Sequence, residues 1–395
     1  MTEPMLSDLL ARYRAVRGHT LALSALLSAE DQGLQSMPEA SPTKWHLAHT
    51  TWFFEAVVLA AHAPGYRPFD PRYARLFNSY YESLGPRHPR PQRGLLSRPS
   101  GVEVQAYRDA VDMAMVAFIT GADADTRAAA WPLLELGLQH EQQHQELLLT
   151  DILHALSLNP LQPAVRSGAA PHPVEAARGW IEHAGGDVAI GHAGPGFAFD
   201  NEQPRHRVAL PPFAIGRRLV TNAEFQAFVD DGGYRRAALW LSDGWATVQS
   251  QGWAAPLYWR DGGAEFTLYG LQPRQPDAPV RHLSFYEAMA YAEWSGARLP
   301  TEFEWEAAIT STQPPAQAFG VAWQWTRSSY DPYPRFRPFA GAVGEYNGKF
   351  MVGQLVLRGS SALTPAGHAR ASYRNFFPPA ARWQMTGLRL AQDRG

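Results

Sequence analysis

Two histidines, His140 and His144, stand four residues apart in the run His-Glu-Gln-Gln-His. Residues at this spacing project from the same face of a helix, so both imidazoles can bind one metal ion. The surrounding segment Trp131–Leu156 has apolar residues at spacings of three and four, which predicts that helix. The motif also occurs by chance and in zinc peptidases, so it predicts a metal site only if further ligands are found.

A third candidate ligand, His49, lies upstream in the run Trp-His-Leu-Ala-His. Ser41 is interpreted as the N-cap of a helix there and Pro42 as its first residue. His49 points inward with the aromatic residues of this helix, whereas His46 sits about 60° away. Antiparallel bundle helices build metal sites from inward side chains. Together with His140 and His144, His49 would offer three neutral nitrogens, which suit Zn, Cu, Fe and Ni alike.

Composition limits the classes of function. The 395 residues are 45% hydrophobic and 18% charged, and the net charge of −2 argues against a generic nucleic-acid or anionic-membrane binder. Neither a bilayer-spanning apolar run nor a signal-peptide pattern at the N-terminus is found, so we expect a cytoplasmic protein with no membrane or nucleic-acid partner. The chain has no cysteine, which excludes disulfides and thiolate ligands.

Periodicity divides the chain into two kinds of structure. Apolar recurrence near 3.6 predicts a four-helix bundle built from Leu6–Leu27, Trp45–Ala61, Gly101–Thr120 and Pro132–Leu156. The connection from His62 to Ser100 exceeds the usual length and is therefore expected to be functional. After Gly179 short strands and turns dominate, with two brief helices at Asn222–Asp230 and Ser284–Ser295. We expect domains at 1–160 and 179–395, joined by a Pro- and Ala-rich linker at 161–178.

The second half contains a specific series of motifs. Arg298-Leu299-Pro300-Thr301-Glu302-Phe303-Glu304-Trp305 is followed by Val356-Leu357-Arg358-Gly359-Ser360 and Gly387-Leu388-Arg389-Leu390. The series resembles the formylglycine-generating-enzyme (sulfatase-modifying factor) module, whose fold is similar to C-type lectins. The copper-dependent members bind metal through cysteines, so that activity is not carried over to this chain.

The helical half, with its Trp-His-Leu-Ala-His and His-Glu-Gln-Gln-His runs, resembles a DinB-type four-helix module. A DinB-like bundle followed by this α+β module is similar to the ergothioneine sulfoxide synthases and the selenoneine synthases. The resemblance implies a mononuclear non-haem Fe(II) ion held by His49, His140 and His144, with O2 and a chalcogen-bearing substrate as partners. The implied reaction forms a C–S or C–Se bond at the imidazole C2 carbon of hercynine, the trimethylammonium form of histidine.

The resemblance also implies roles for other residues. Tyr80 and Tyr81, in the long connection, resemble a tyrosine pair that supplies a proton during oxygen reduction. Gln143 lies about 60° off the ligand face, where its amide can reach a substrate imidazole. Asn375 and Phe376 would contact the trimethylammonium group, for which an aromatic face is a suitable partner. A site built from both modules is therefore expected.

The selenium or sulfur donor is less well specified. Arg87, Arg90 and Arg93 crowd the long connection, and the last two resemble a pair that binds the carboxylate of a thiol such as γ-glutamylcysteine. Phe377 stands where some members have an aspartate that contacts a thiol substrate. Because Gly353 and Ala362 also depart from the family pattern, we favour a selenosugar donor over cysteine or γ-glutamylcysteine.

Two other classes of function remain open. A zinc peptidase would use Glu141 as its general base, although no third ligand follows at the usual downstream spacing. A non-catalytic protein would use the lectin-like half for recognition and the helices as a scaffold. Metal analysis separates the three hypotheses, since iron supports the synthase, zinc the peptidase and no metal the binding protein.

Overall fold

The computed structural model describes residues 3–171 and 176–395. Contacts group the chain into a helical unit, Met1–Arg166 with Ala340–Tyr346, and a sheet unit, Ser167–Phe339 with Asn347–Gly395. The predicted domain bounds remain a prediction, and part of the predicted linker, 172–175, lies outside the described residues. The grouping of Ala340–Tyr346 with the helical unit has no counterpart in the sequence pattern, because this segment is remote in sequence from the helices.

The helical unit is built on four longer helices, as the periodicity predicted. In chain order its helices are α1 Glu3–Ser24, α2 Thr43–Phe53, a π-helical segment Phe54–Leu59, α3 Ala60–His62, α4 Tyr73–Leu76, α5 Gly101–Gly121 and α6 Ala124–Ser157. Short 3-10 helices occur at Asp31–Gly33, Glu82–Leu84, Arg90–Leu95 and Ala342–Glu345.

Two predicted helix starts were wrong. Helix α2 begins at Thr43 with Pro42 as its N-cap residue. The side chain of Ser41 does not cap the helix and instead accepts a hydrogen bond from Arg93. Helix α6 begins eight residues before Pro132, because the side chain of Asp123 accepts a hydrogen bond from the Thr126 N–H and caps it there. A proline inside a pattern usually marks a helix end, but tertiary packing carries α6 through it.

Helices α2 and α6 approach each other closely at Gly137. A Cβ atom at this position would lie 2.6 Å from the Phe54 ring and 3.1 Å from the Phe53 ring. Any larger residue would therefore push α6 away from α2. This contact matters because the predicted ligands lie on these two helices.

The sheet unit contains short strands, as expected after Gly179. They are β1 Trp180–His183, β2 Gly186–Ile190, β3 His206–Leu210, β4 Phe213–Gly216, β5 Trp259–Arg260, β6 Ala264–Thr267, β7 Gly270–Pro273, β8 Ala322–Ser329, β9 Leu355–Ser360, β10 Asn375–Phe377, β11 Thr386–Leu388 and β12 Ala391–Asp393. They pair in the orders β1-β4-β12, β2-β3, β5-β6-β7 and β10-β9-β8-β11, with β11 parallel to β8 and the other pairs antiparallel.

The two predicted helices of the sheet unit are confirmed as α7 Asn222–Asp230 and α9 Phe285–Trp294. Two more helices, α8 Ser242–Gln251 and α10 Glu302–Ile309, were not predicted, and the sequence of α10 shows little amphipathic contrast. Helix α10 packs Ala307 and Ala308 into a core with apolar residues of β1, β3 and β4. Throughout residues 3–171 and 176–395, each helix is too short or too polar to cross a lipid bilayer.

Candidate metal centre

The structure brings the three predicted ligands together. His49 on α2 and His140 and His144 on successive turns of α6 each offer a ring nitrogen, and these atoms all lie within 4.8 Å of one another. His49 and His140 are fully buried, and His144 is partly exposed. The set can therefore hold one ion and leave positions open on its accessible side.

The hydrogen bonds of the rings leave the right nitrogens available. Nδ1 of His49 lies 2.6 Å from the carbonyl oxygen of Phe77, which can only accept, so the proton is on Nδ1 and the lone pair is on Nε2. This Nε2 lies 3.2 Å from Nε2 of His140. Two nitrogen ligands at right angles, each about 2.1 Å from one ion, are about 3.0 Å apart. The observed separation fits a shared metal ion.

The local environment keeps these imidazoles neutral. Burial lowers the pKa of His140 to about 3, and it also lowers the pKa values of His49 and His144 well below their ordinary range. The neighbouring rings add to this effect, because His140 further lowers the pKa of His49, and His140 and His49 further lower that of His144. The neutral form is the one that binds metal, so all three are ready as ligands at pH 7.

Aromatic packing orients His49. Its ring lies between two tryptophans, with Trp45 at 4.5 Å and 13° on one side and Trp52 at 5.6 Å and 14° on the other. The guanidinium of Arg93 covers the Trp45 ring, 3.4 Å from its centroid. A ring held between two others cannot easily rotate, so the direction of Nε2 is fixed before an ion binds.

Glu141, the residue after His140, forms hydrogen bonds inside the helical bundle and is not one of the candidate metal ligands. Its fully buried carboxylate accepts hydrogen bonds from Arg108, Arg17 and Thr20. Burial alone would raise the pKa of Glu141, but Arg108 and Arg17 outweigh it and lower the pKa to about 2. A carboxylate paired with two arginines is a poor proton acceptor near neutral pH, so the arrangement removes the base that a zinc peptidase requires.

A tyrosine that the sequence reading missed lies beside the ligands. The hydroxyl of Tyr346 donates a hydrogen bond to the side-chain oxygen of Gln143. The Tyr346 ring lies 5.6 Å from the His140 ring and 6.1 Å from the Tyr80 ring. Because Tyr346 is 203 residues from Gln143, no local pattern in the sequence indicates the contact.

The predicted loop tyrosines differ in their surroundings. Tyr80 is half-buried and stacks on Tyr81 at 4.7 Å. Tyr81 is fully buried against the rings of Trp52 and Phe53. The pair is therefore linked to the ligand helix through Trp52, which itself stacks on His49.

The three predicted arginines differ in exposure and in the groups they contact. Arg87 is exposed and pairs with Glu82 while donating to the Ser79 carbonyl. Arg90 is exposed and donates to the carbonyl of Glu39. Arg93 is buried, with one nitrogen 2.9 Å from Ser41 Oγ, and burial lowers its pKa to about 8.

In the sheet unit, the predicted substrate residues occupy strand β10. Asn375, Phe376 and Phe377 are each half-exposed, and β10 pairs with β9. The strand is anchored by Arg374, which makes a two-pronged ion pair with Glu302 at 2.8 and 2.9 Å. These buried contacts fix the position of the strand.

Phe376 belongs to an aromatic group. Its ring stacks on Tyr330 at 4.0 Å and 11°, and Phe350 lies 5.8 Å away. Phe377, the next residue on the strand, is instead 6.3 Å from Trp383. Successive residues of a strand point to opposite faces, so Phe376 and Phe377 contact different residues.

Comparison with known proteins agrees with both halves of the fold. The model of the DinB superfamily matches residues 4–148, and that of the sulfatase-modifying factor enzyme 1-like domain matches residues 166–319. A hercynine oxygenase of Mycolicibacterium thermoresistibile is 32% identical over 99% of this chain and 96% of its own length. The hercynine oxygenase of Mycobacterium tuberculosis is also 32% identical, over the whole of both chains. A formylglycine-generating enzyme of Streptomyces coelicolor is 37% identical over 36% of this chain and 52% of its own. Since two relatives match over essentially their full length, the chain belongs to the hercynine oxygenase family.

Proposed function

We propose that the protein is an iron- and O2-dependent enzyme that forms a C–Se or C–S bond at the imidazole C2 carbon of hercynine. The observation that carries this proposal is the convergence of the neutral nitrogens of His49, His140 and His144. Full-length relatives named hercynine oxygenase support the choice of substrate. Bound Fe(II) would supply the redox chemistry with O2 at the positions that the three histidines leave open.

Gln143, Asn375 and Phe376 would orient hercynine. The Gln143 amide, with its oxygen held by Tyr346, can donate from its nitrogen to an imidazole. Asn375 and Phe376 would receive the trimethylammonium group. A quaternary ammonium cannot donate a hydrogen bond, so its recognition requires an aromatic face and a fitting shape.

We therefore expect Phe376→Ala to weaken hercynine binding roughly 2- to 30-fold, the range of a cation–π contact, while histidine binding changes less. Anaerobic calorimetry with both ligands measures this difference. Phe377→Ala, on the opposite face of the same strand, is the matched control and should leave the preference for hercynine intact. Equal losses of hercynine and histidine affinity in Phe376→Ala would remove this residue from the proposed site.

For the chalcogen donor we propose a selenosugar, with cysteine or γ-glutamylcysteine as the alternative. A carboxylate-bearing thiol would use an arginine pair, yet Arg87, Arg90 and Arg93 already contact protein groups. A donor without a carboxylate would make no demand on these arginines. The half-exposed Phe377, in place of an aspartate, supports the same choice.

The test of the proposed function is anaerobic loading with Fe(II), followed by O2 with hercynine and each donor in turn. We expect hercynine-dependent oxygen uptake and a product whose mass shows the C2 hydrogen replaced by the chalcogen group. A larger yield with a thiol than with the selenosugar would reverse the choice of donor. No product with any donor would reject the function, and peptide hydrolysis by the zinc-loaded protein would favour the peptidase.

A further inference from the structure

We infer that Asp151 and His46 form a hydrogen-bonded relay that fixes the tautomer and direction of the metal ligand His144. The inference rests on the metal site of the proposed function. Nδ1 of His46 lies 2.8 Å from Nδ1 of His144, and Nε2 of His46 lies 3.1 Å from Oδ2 of Asp151. The three side chains thus form one continuous chain from a buried carboxylate to a ligand.

The positions of the protons follow from the carboxylate. An ionised carboxylate only accepts, so the bond to Asp151 requires a proton on Nε2 of His46. With His46 neutral, its Nδ1 carries a lone pair and must accept from the Nδ1–H of His144. The lone pair of His144 is then on Nε2, the nitrogen left for the metal. Asp151 therefore selects the metal-binding tautomer of His144 from two hydrogen bonds away.

The carboxylate is itself held in place. Oδ2 of Asp151 also accepts from the backbone N–H of Ser41 at 2.8 Å, and Asp151 is only 5% exposed. Arg93 donates to the Ser41 hydroxyl at 2.9 Å and covers Trp45, which stacks on His49. Ser41 and Arg93 therefore connect the supports of two ligands, His144 and His49.

His46 acts as a positioning residue and not as a fourth ligand. Both of its ring nitrogens are engaged, one by His144 and one by Asp151. Because of these contacts, His46 is not available to donate a proton to the substrate. Outer partners of this kind orient metal-bound histidines and raise their basicity, and their loss typically costs about 10- to 100-fold in metal affinity.

Titration of the metal-free protein with Co(II) tests the relay without relying on turnover. Cobalt affinity is measured by competition with a chelator, and the visible spectrum reports the ligand set. We expect His46→Phe and Asp151→Leu to lower the Co(II) affinity about 10- to 100-fold and to alter the spectrum. Thermal melting of the metal-free variants shows whether each one is folded. If Asp151→Leu does not fold, the Co(II) affinity of His46→Phe alone tests the relay.

Two further variants separate the relay from general packing. Asp151→Asn should keep the affinity within about fivefold, because the Ser41 N–H orients the amide oxygen toward His46 and the hydrogen bond survives. His154→Phe removes a partly buried histidine of α6 that is bonded to Ser36 and lies ten residues after His144, and it should leave the affinity unchanged.

The outcomes also distinguish this inference from the proposed function. Wild-type affinity in both His46→Phe and a folded Asp151→Leu would overturn the relay while leaving the metal site intact. If the wild-type protein binds no Co(II), or if His140→Ala binds it as tightly as wild type, the metal site itself fails and the proposed function fails with it.

Discussion

Replacing His140 with alanine is expected to abolish stoichiometric iron binding while the helical unit still folds. The change leaves His49 and His144, and two imidazoles compete poorly with water for a ferrous ion. Folding should survive because His140 Nδ1 has no hydrogen-bond partner among the described residues, so the change removes ring packing but leaves no partner of that nitrogen unpaired. Elemental analysis after anaerobic loading gives the iron content, and thermal melting gives the folding state.

The control for this experiment is His154→Ala on the same helix, which should retain one iron per chain. His49→Ala and His144→Ala should behave like His140→Ala, since the three nitrogens lie within 4.8 Å of one another. One iron per chain in His140→Ala would refute the assignment of this residue as a ligand.

Removal of the Tyr81 hydroxyl is expected to slow carbon–chalcogen bond formation by about 10²- to 10⁴-fold, the range for a lost general acid. Reduction of O2 during the reaction consumes protons, and a phenol near the ligands can supply them. Tyr81→Phe keeps the ring that packs against Trp52 and Phe53, so iron and substrate affinity should stay within about threefold. Single-turnover measurements give the rate of product formation and the rate of oxygen uptake separately.

Three matched variants identify which phenol acts. Tyr80→Phe tests the stacked neighbour, and Tyr346→Phe tests the tyrosine that contacts Gln143. Because Tyr346 holds the Gln143 amide, its variant should mainly weaken hercynine binding if it only positions substrate, and slow the reaction if it donates the proton. Tyr73→Phe, a buried tyrosine of the same connection, is the control and should change neither quantity. Wild-type rates in both Tyr81→Phe and Tyr80→Phe would make the loop pair packing residues.

Two buried arginines determine the role of Glu141, the glutamate of the His-Glu-Gln-Gln-His run. Sequence alone allows Glu141 to act as a peptidase base, because it precedes the second ligand at the usual spacing. Its partners Arg17 and Arg108 come from α1 and α5. A helix presents neighbouring residues to different sides, so His140 faces α2 while Glu141 faces the two arginines.

Local sequence patterns were enough to predict the helical bundle, the two modules and the three histidines that converge on α2 and α6. Helical periodicity is a local property, so the faces that carry His49, His140 and His144 follow from spacing alone, and the motif series of the second half specified its family. The ends of the helices were harder to predict from the sequence. In α6, Pro132 favours a helix start at that residue, whereas the side chain of Asp123 caps a helix that begins earlier, and the folded helix follows the cap.

The groups that surround the three histidines depend on tertiary contacts. The contact between Tyr346 and Gln143 joins residues 203 positions apart, and that between His46 and Asp151 joins residues 105 positions apart. Arg93, which its spacing grouped with Arg90, covers the ring of Trp45. Periodicity shows which way a side chain points, whereas its partner depends on which distant segment packs against that face.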